Sequence, residues 1–376
     1  MRNYLYRLKT GRRLFSFNDD IRHIPVCGKT LSERQKEAVK INGCKIADVD
    51  SESEIREKQY FIFEDDLFFT REFIRQVLLS IRSDKSSKQY CLGNNKFNRQ
   101  IVLPHSSNPD GNLRFAFYFR NIERPETIQH EISQELFENE LILPDQIVKG
   151  GTYYVGRTDC FISRIASPFH LLQINLAFNL MRTIPVQRAL PEWLFRLFGH
   201  PGSRIYYHAL RRMNKIGKNC QIHPTAIIEA SILGDNVSAG ANSIIRFSHI
   251  GSGTSISENV AVINCVAGKN NMIANSNFLS FNLLFDNVFL IHGPYQFSVF
   301  GNNVSVFAVI NCDIRLDQKS IKIPTDQGVL DSNQQLLGIA YGHYSKTGGG
   351  NIIAAGRIVP NRRVINPPDN IILKFD

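Results

Sequence analysis

The sequence IGKNCQIHPTAIIEASI (residues 216–232) is followed by LGDNVSAGANSIIRFSH (233–249), IGSGTSISENVAVINCV (250–266) and AGKNNMIANSNFL (267–279). Each segment opens with an aliphatic residue and a glycine, and aliphatic residues return six and twelve positions later. All of these recurring positions hold Ile, Leu, Val or Ala, which leaves little room for coincidence. The pattern therefore repeats every seventeen residues, with aliphatic spacings of six, six and five.

This spacing fits neither of the common periodic structures, because helices repeat every three or four residues and strands every two. A coil with three flat faces fits it, with about six residues per face at a rise of about 3.3 Å. Hexapeptide repeats of this kind predict a parallel β-helix, with the aliphatic residues pointing inward and the glycines permitting a corner. Stacked coils bury one aliphatic column, in which each covered side chain contributes about 1.5–3 kcal/mol. Several coils together are stable although one alone is not.

The pattern weakens after residue 279. Its phase predicts further inward positions at Leu284 and Leu290, but the next position is Gln296, so we expect a loop to leave the coil near residues 292–296. The polar segment 315–335 predicts a second loop insertion between the repeats. In repeat proteins such insertions commonly lie on the binding face. The repeat then resumes to complete a domain over 216–376, with inward positions predicted at Ile352, Ile358 and Val364.

The composition fits a globular chain of about two domains, since 43% of its 376 residues are hydrophobic and 21% are charged. The net charge of +10 favours an anionic partner such as a phosphate ester, nucleotide, coenzyme A or acidic lipid, or reflects a basic surface that contacts only water. Seven scattered cysteines without C-x-x-C spacing favour a reducing cytoplasm and no zinc site. The longest apolar run, Leu171–Met181, is too short and polar to span a bilayer, so we expect a cytoplasmic protein.

The segment before the repeats, 166–215, predicts a basic helical connector. From Pro168 to Lys218 there are eight Lys and Arg residues and one acid, with aromatic residues between them. Such helices commonly pack their aromatic residues on a neighbouring domain and expose their arginines. The alternative is a peripheral contact of residues 182–218 with an anionic membrane, and we expect no nucleic-acid partner.

The N-terminal part, residues 1–165, predicts an α/β domain. Gln59–Phe63 indicates a buried strand that ends in Glu64-Asp65-Asp66 and precedes a helix from about Thr70. Acidic residues at the carboxyl end of such a strand lie where open α/β sheets place ligands, although they also cap helices. The acidic segment 126–140 is predicted to be a solvated helix face.

Four elements of this region resemble the sugar-1-phosphate nucleotidyltransferases that carry a hexapeptide-repeat tail. Gly11-Arg12-Arg13-Leu14 resembles the end of their glycine-rich G-T-R-L turn, and Pro25-Val26-Cys27-Gly28-Lys29-Thr30-Leu31 resembles their P-V-x-G-K-P-L element. Phe63-Glu64-Asp65-Asp66-Leu67-Phe68 is similar to their G-D-x-x-F strand end. Ser167-Pro168-Phe169-His170-Leu171-Leu172-Gln173-Ile174-Asn175 is similar to their S-P-W-D-L-L-x-A-N helix. Leu8, Lys9 and Thr10 stand where the family's phosphate loop has glycines.

The resemblance implies a nucleotidyltransferase-like (Rossmann-like) α/β domain, a left-handed β-helix and a homo-oligomer, commonly a trimer. It implies a transferase of sugar phosphates or nucleotide sugars, in which Mg²⁺ and cationic side chains neutralise phosphate charge. The residues onto which these roles fall are Asp65 and Asp66 for Mg²⁺, Arg13 and Lys29 for phosphates, and Gly11 and Gly28 for the nucleotide-binding loops.

Two alternatives remain open at the level of sequence. The repeat is also similar to that of hexapeptide acyltransferases, in which a histidine between coils acts as general base toward acetyl-CoA or another acyl-CoA. His292, beside the broken coil, and His343, ahead of a glycine run, are the candidates for this role, or are turn residues without a task. The other alternative is a non-catalytic oligomeric scaffold.

Overall fold

The computed structural model describes residues 4–101, 111–189, 204–326 and 328–368. The chain forms two compact units, Met1–Asp145 with Gly150–Ala177 and Gln146–Lys149 with Phe178–Asp376. The boundary after Ala177 lies beyond the predicted domain end at residue 165. The reason is that Asn175 is tied into the first unit, where its amide donates to Pro25 O at 3.1 Å and its oxygen accepts from Cys27 N at 2.7 Å.

The first unit is a mixed α/β domain. Its strands are β1 Tyr4–Leu8, β2 Pro25–Val26, β3 Lys29–Thr30, β4 Lys45–Val49, β5 Gln59–Glu64, β6 Leu67–Phe69, β7 Ser87–Leu92, β8 Leu113–Asn121, β9 Thr127–Ile132, β10 Phe137–Ile142, β11 Thr152–Arg157 and β12 Ile162–Arg164. Its helices are α1 Leu31–Ile41, α2 Arg71–Ser83, α3 Lys96–Ile101 and α4 Pro168–Met181, with single 3₁₀ turns at Ile21–His23 and Glu52–Glu54.

The main sheet has the order β4-β1-β5-β8-β7-β9, in which only β8 runs opposite to the others. Strand β5 is an apolar run with Phe61, Ile62 and Phe63 buried, as expected for a strand covered on both faces. Strand β8 alternates buried and half-buried residues, the pattern of an antiparallel strand with one face on the core. Helix α1 begins with a capping box between Thr30 and Glu33.

The acidic segment 126–140 is not the predicted helix. It contributes β9, which pairs in parallel with β7, and most of β10, which pairs antiparallel with β11. The glutamates lie on exposed positions, while Ile132 at the end of β9 is buried. Exposed acidic residues are compatible with a helix or a strand, so the prediction of a helix from the charge pattern alone was wrong.

The second unit begins with the remainder of α4 and helices α5 Ile184–Ala189 and α6 Arg204–Arg212, followed by stacked parallel strands. Sheet A contains Lys215–Ile216, Ile232–Leu233, His249–Ile250, Val266–Ala267, Leu283–Leu284, Val299–Phe300, Ala340–Tyr341 and Ile358–Val359. Sheet B contains Gln221–Ile222, Ser238–Ala239, Ser255–Ile256, Met272–Ile273, Phe289–Ile291, Ser305–Phe307, Lys346–Thr347 and Val364–Ile365. Sheet C contains Ile227–Glu229, Ile244–Arg246, Ala261–Ile263, Phe278–Ser280 and Tyr295–Gln296, and Ile310–Asn311 pairs with Ile352–Ile353.

Three stacked parallel sheets with this register are the arrangement of a parallel β-helix. Ile216 lies opposite Leu233, which lies opposite Ile250, so the seventeen-residue repeat is the register of neighbouring coils. Leu233 and Ile250 are buried, whereas Ile216 is 50% exposed because the first strand of sheet A has a strand neighbour on one side only.

The repeated glycines have a different role from the predicted one. A side chain on Gly251 would come within 2.3 Å of Gly268 O on the next coil, so these positions require glycine for close stacking. The corner is turned two residues later, where Asn219, Asn236 and Asn270 adopt left-handed conformations with φ of 55°, 57° and 56°. Asparagine tolerates this conformation better than most residues.

Near residues 292–296 the coil is shortened rather than interrupted. Tyr295 lies opposite Leu279 in sheet C and is fully buried, so it takes the inward position that the phase assigned to Gln296. The prediction missed this because an aromatic side chain replaces an aliphatic one and one residue is lost from the coil.

The final coils are also shifted by one residue from the prediction. Val359 lies opposite Tyr341 and is buried, and Ile353 and Ile365 pack against the core, whereas Ile352 and Val364 are exposed. The sequence offers two adjacent aliphatic residues at each position, so it did not fix which one points inward. The polar segment 315–335 contains an antiparallel hairpin, Lys322–Thr325 with Gly328–Asp331.

Candidate functional site

The candidate site lies at one edge of the main sheet in the first unit. Strands β4, β1, β5, β7 and β9 run in the same direction, so their carboxyl ends share this edge. The loop Lys9–Leu14 leaves β1 there, and Asp65 and Asp66 follow β5. Open α/β sheets bind ligands at such an edge.

Asp65 is buried, with 1% of its surface exposed, and it is held by the loop after β1. Its Oδ1 accepts hydrogen bonds from the backbone N–H of Thr10 at 3.2 Å and from the Thr10 hydroxyl at 2.6 Å. The Asp65 backbone N–H donates to Leu8 O at 3.1 Å, and the Gln35 amide donates to Asp65 O at 3.1 Å. Asp65 therefore joins the ends of β1 and β5. Thr10 supplies the hydroxyl.

Asp66 lies between two arginines. Its Oδ2 accepts from Arg12 Nη1 at 2.6 Å and from Arg164 Nε at 2.8 Å, while Arg12 also donates to Glu64 and Arg164 Nη2 lies 4.0 Å from Glu64 Oε2. Burial raises the pKa of the Asp66 carboxyl, and Arg164 and Arg12 oppose this shift. We call Arg12, Glu64, Asp66 and Arg164 the arginine–carboxylate cluster.

The cluster is exposed on its basic side. The side chains of Arg12 and Arg164 are 41% and 36% exposed, whereas that of Asp66 is 1% exposed. Each guanidinium carries five N–H donors in a planar fork that matches carboxylate and phosphate oxygens. The buried carboxylate thus holds two arginine side chains that are both partly exposed at this edge of the sheet.

A resident Mg²⁺ does not fit these residues. Mg²⁺ requires near-octahedral oxygen ligands, usually from one or two carboxylates with waters and substrate phosphates. Asp65 Oδ1 already accepts two hydrogen bonds, and although Asp66 Oδ1 is buried without a partner, the two guanidinium groups on that carboxylate would repel a cation. Across the described parts of the chain, no three His, Cys, Asp or Glu side chains are grouped to hold a metal. The metal role of Asp65 and Asp66 stays a prediction, and no step below depends on it.

The other residues predicted for phosphate binding have structural partners of their own. Arg13 donates to Asn18 O at 2.9 Å within its loop, and Lys29 forms an ion pair with Glu37 on α1. Gly11 and Gly28 adopt φ of 67° and 78°, so both positions favour glycine through the conformation of their turns. Their assignment to a ligand stays a prediction.

Sequence reasoning missed Arg12 and Arg164. Arg12 lies within the quoted Gly11–Leu14 turn, where the resemblance drew attention to its neighbour Arg13. Arg164 lies on β12, which pairs antiparallel with β6 so that Arg164 is opposite Leu67. This pairing brings a residue almost a hundred positions away to the acidic strand end. The sequence around Arg164 contains no motif that signals this contact.

The two candidate histidines occupy different environments in the β-helix. His343 is buried, its ring contacts Phe285, and its Nδ1 accepts from the backbone N–H of Asn302 at 2.7 Å. Because a backbone N–H only donates, Nδ1 supplies the lone pair and the neutral ring carries its proton on Nε2. A base acting through Nε2 would lack a lone pair in this tautomer. The general-base role of His343 stays a prediction, and the geometry favours a structural one.

His292 is exposed at a coil corner. It adopts φ of 57°, close to the φ of 56° at Asn259 and 57° at Ser276, which turn the same corner in earlier coils. The position and backbone conformation of His292 are therefore those of a residue that turns the corner of a coil. Its role as a general base stays a prediction.

Parts of the basic connector pack on the coils. Arg182 donates to Asn179 O at 3.0 Å and also to Ala230 O, and Leu210 of α6 is buried with its carbonyl accepting from Ala230 N at 2.8 Å. The aromatic residues Trp193, Phe195 and Phe198 lie outside the described residues. The exposed Lys and Arg residues in the described parts of this segment are Arg188, Arg204, Arg211, Arg212, Lys215 and Lys218. The membrane contact of 182–218 stays a prediction.

Comparison with protein-family models gave no match, and a search of curated proteins found no match either. Among the described helices, none has the length and apolar character needed to cross a membrane.

Proposed function

We propose that this protein is a transferase that acts on sugar phosphates or nucleotide sugars, and that Arg12 and Arg164 bind the phosphate. The observation that carries this proposal is the arginine–carboxylate cluster. Two half-exposed guanidinium groups converge on one buried carboxylate at the edge where an open α/β sheet takes its ligands.

The chemistry follows from the fixed positions of these groups. Asp66 and Glu64 restrict the arginine side chains before ligand binds, so less conformational entropy is lost when a phosphate accepts their N–H groups. Guanidinium–phosphate pairs are charge-assisted and often bidentate. In a group transfer at phosphorus, the same donors stabilise the negative charge that accumulates on the phosphate oxygens.

The finer parts of the resemblance belong to this proposal. We infer a nucleotidyltransferase-like fold for the first unit, a left-handed coil for the second and a homotrimer for the assembly. The resemblance of residues 25–31 and 167–175 and the hexapeptide spacing support these inferences. In this proposal Mg²⁺ would enter bound to the nucleotide phosphates, because the side chains around Asp66 do not fit a resident ion.

The test is ligand binding measured by thermal shift and calorimetry with a panel of nucleoside triphosphates and sugar 1-phosphates, each with and without Mg²⁺. A ligand that binds only the folded protein raises its melting temperature. Each guanidinium–phosphate contact contributes about 1.5–3 kcal/mol, so Arg12→Gln or Arg164→Gln should weaken binding by roughly tenfold or more. Arg75→Gln is the matched control, because Arg75 is a surface arginine paired with Glu72 on α2.

Unchanged affinity in both cluster variants would remove the proposed phosphate site. A melting shift with acetyl-CoA alone, abolished by His292→Ala, would favour the acyltransferase alternative. No response to any of these ligands would favour the scaffold.

A further inference from the structure

The last coils of the β-helix present a surface that the proposed transferase activity does not use. We call it the basic end and define it by Tyr344, Lys346, Arg362, Arg363 and Val364. These residues come from two neighbouring coils. Lys346 lies opposite Val364 in sheet B, and the Arg362 guanidinium lies 5.7 Å from the centre of the Tyr344 ring.

The backbone holds these side chains in fixed register. Lys346 N donates to Arg363 O at 2.9 Å, and Arg362 N donates to His343 O at 2.7 Å. Rigid sheet and corner positions, rather than a mobile loop, therefore carry the cations. A surface built in this way keeps its charges together without an organising ligand.

The charge of this region has one sign. From Ser332 to Pro368 the chain contains Lys346, Arg357, Arg362 and Arg363 and no Asp or Glu, and all four cations are exposed. Within the described residues, no carboxylate forms an ion pair with any of them. Other surface cations, such as Lys29 and Arg75, do have carboxylate partners.

Exposed apolar side chains lie among the cations. Tyr344 is 53% exposed and Val364 is 56% exposed. Further along sheet B, Met272 and Phe307 are 50% and 38% exposed. Exposed apolar side chains such as these do not contribute the stabilisation that burial would give. Cations beside aromatic and aliphatic side chains are typical of surfaces that bind to a bilayer.

We propose that the basic end docks on an anionic lipid surface. Charge complementarity favours this occupant, since each Lys or Arg near an anionic leaflet adds about 1 kcal/mol, or roughly fivefold in affinity. A second copy meeting this face through a two-fold axis would place its cations against cations, because an isologous interface uses the same patch twice. A nucleic-acid backbone would pair with the charges but leave Val364 and Tyr344 uncovered, whereas the boundary between lipid headgroups and acyl chains covers both.

The test is co-flotation of the full-length protein with lipid vesicles. One preparation contains only neutral phosphatidylcholine, and the other has about a third of its lipid replaced by phosphatidylglycerol, a content at which surface charge attracts basic segments. We expect binding to the anionic vesicles only, with loss at high salt. Lys346→Gln/Arg362→Gln/Arg363→Gln should reduce it on the order of a hundredfold, from the fivefold effect of each cation.

The matched control is Lys36→Gln/Lys40→Gln/Arg71→Gln, which removes the same charge from exposed positions of the first unit. Circular dichroism melting establishes that each variant is folded, and light scattering gives its mass. Equal loss in both triple variants, or equal binding to neutral vesicles, would overturn the proposal. So would an altered oligomeric mass of the basic-end variant, or tighter binding to double-stranded DNA than to the anionic vesicles. Val364→Gln should weaken vesicle binding without changing its salt dependence, and an unchanged affinity would overturn the apolar part of the contact.

Discussion

The interior column of sheet A makes one prediction that the structure quantifies closely. Ile216 and Ile250 are the same residue at the same position of the repeat, but Ile216 is 50% exposed at the first coil and Ile250 is fully buried between Leu233 and Ala267. Replacing each by alanine removes the same atoms from two different surroundings. The difference between the two effects therefore measures the stacking of the coils.

The magnitude follows from the atoms removed. The change from isoleucine to alanine deletes three carbon atoms, which at about 0.8 kcal/mol each gives about 2.4 kcal/mol for the transfer to water. At Ile250 a cavity adds to this, because backbone hydrogen bonds hold the coils on both sides and prevent collapse, so we expect about 3–4 kcal/mol. At Ile216 half of the side chain is already in water and no closed cavity forms, so we expect about 1 kcal/mol.

The assay is equilibrium unfolding in urea, followed by circular dichroism, with hydrogen exchange and mass spectrometry to locate the loss. Ile250→Ala should lower protection in the coils around residues 233–284, whereas Ile216→Ala should affect only the first coil. Equal losses of stability in the two variants, or a loss below about 1 kcal/mol at Ile250, would refute a continuous column, because such a column buries Ile250 completely.

Further predictions concern polar contacts. Arg7 holds the pKa of Asp48 below its ordinary value of 3.8 through a two-point ion pair. This ion pair therefore stabilises the folded state at neutral pH, and the stabilisation is lost as acid protonates Asp48. The difference in stability between wild type and Asp48→Asn should accordingly shrink below about pH 4, and a constant difference in urea titrations would contradict this. Thr10→Val removes a donor to the buried Asp65 and should cost about 1.5–3 kcal/mol by urea unfolding, while a neutral effect would argue against that contact. His343→Ala leaves a backbone N–H unpaired and should lower stability by about 1–3 kcal/mol in thermal melts; lost acyl transfer with unchanged melting would instead establish a base.

The repeat illustrates what a local pattern can and cannot specify. One aliphatic residue in six is a requirement of the coil itself, so the register of Ile216, Leu233 and Ile250 could be read in advance. The pattern failed where the choice depended on neighbours. At Tyr295 a shortened coil makes room for an aromatic ring, and at Val359 either of two aliphatic residues satisfies the spacing.

The candidate site was also predictable from the sequence only in part. Strand β5 and the acidic residues that follow it were visible in the sequence because hydrophobic runs and strand ends are local features. Arg164 was not, since the antiparallel pairing of β12 with β6 alone brings it to Asp66. The sequence by itself determined the stacked coils, because the buried positions recur with the period of the coil. It also determined the place of the carboxylates, because they directly follow a buried apolar strand. Only the tertiary structure decided which cations meet those carboxylates, because a charge acts on whatever lies within a few ångströms of it, regardless of separation along the chain.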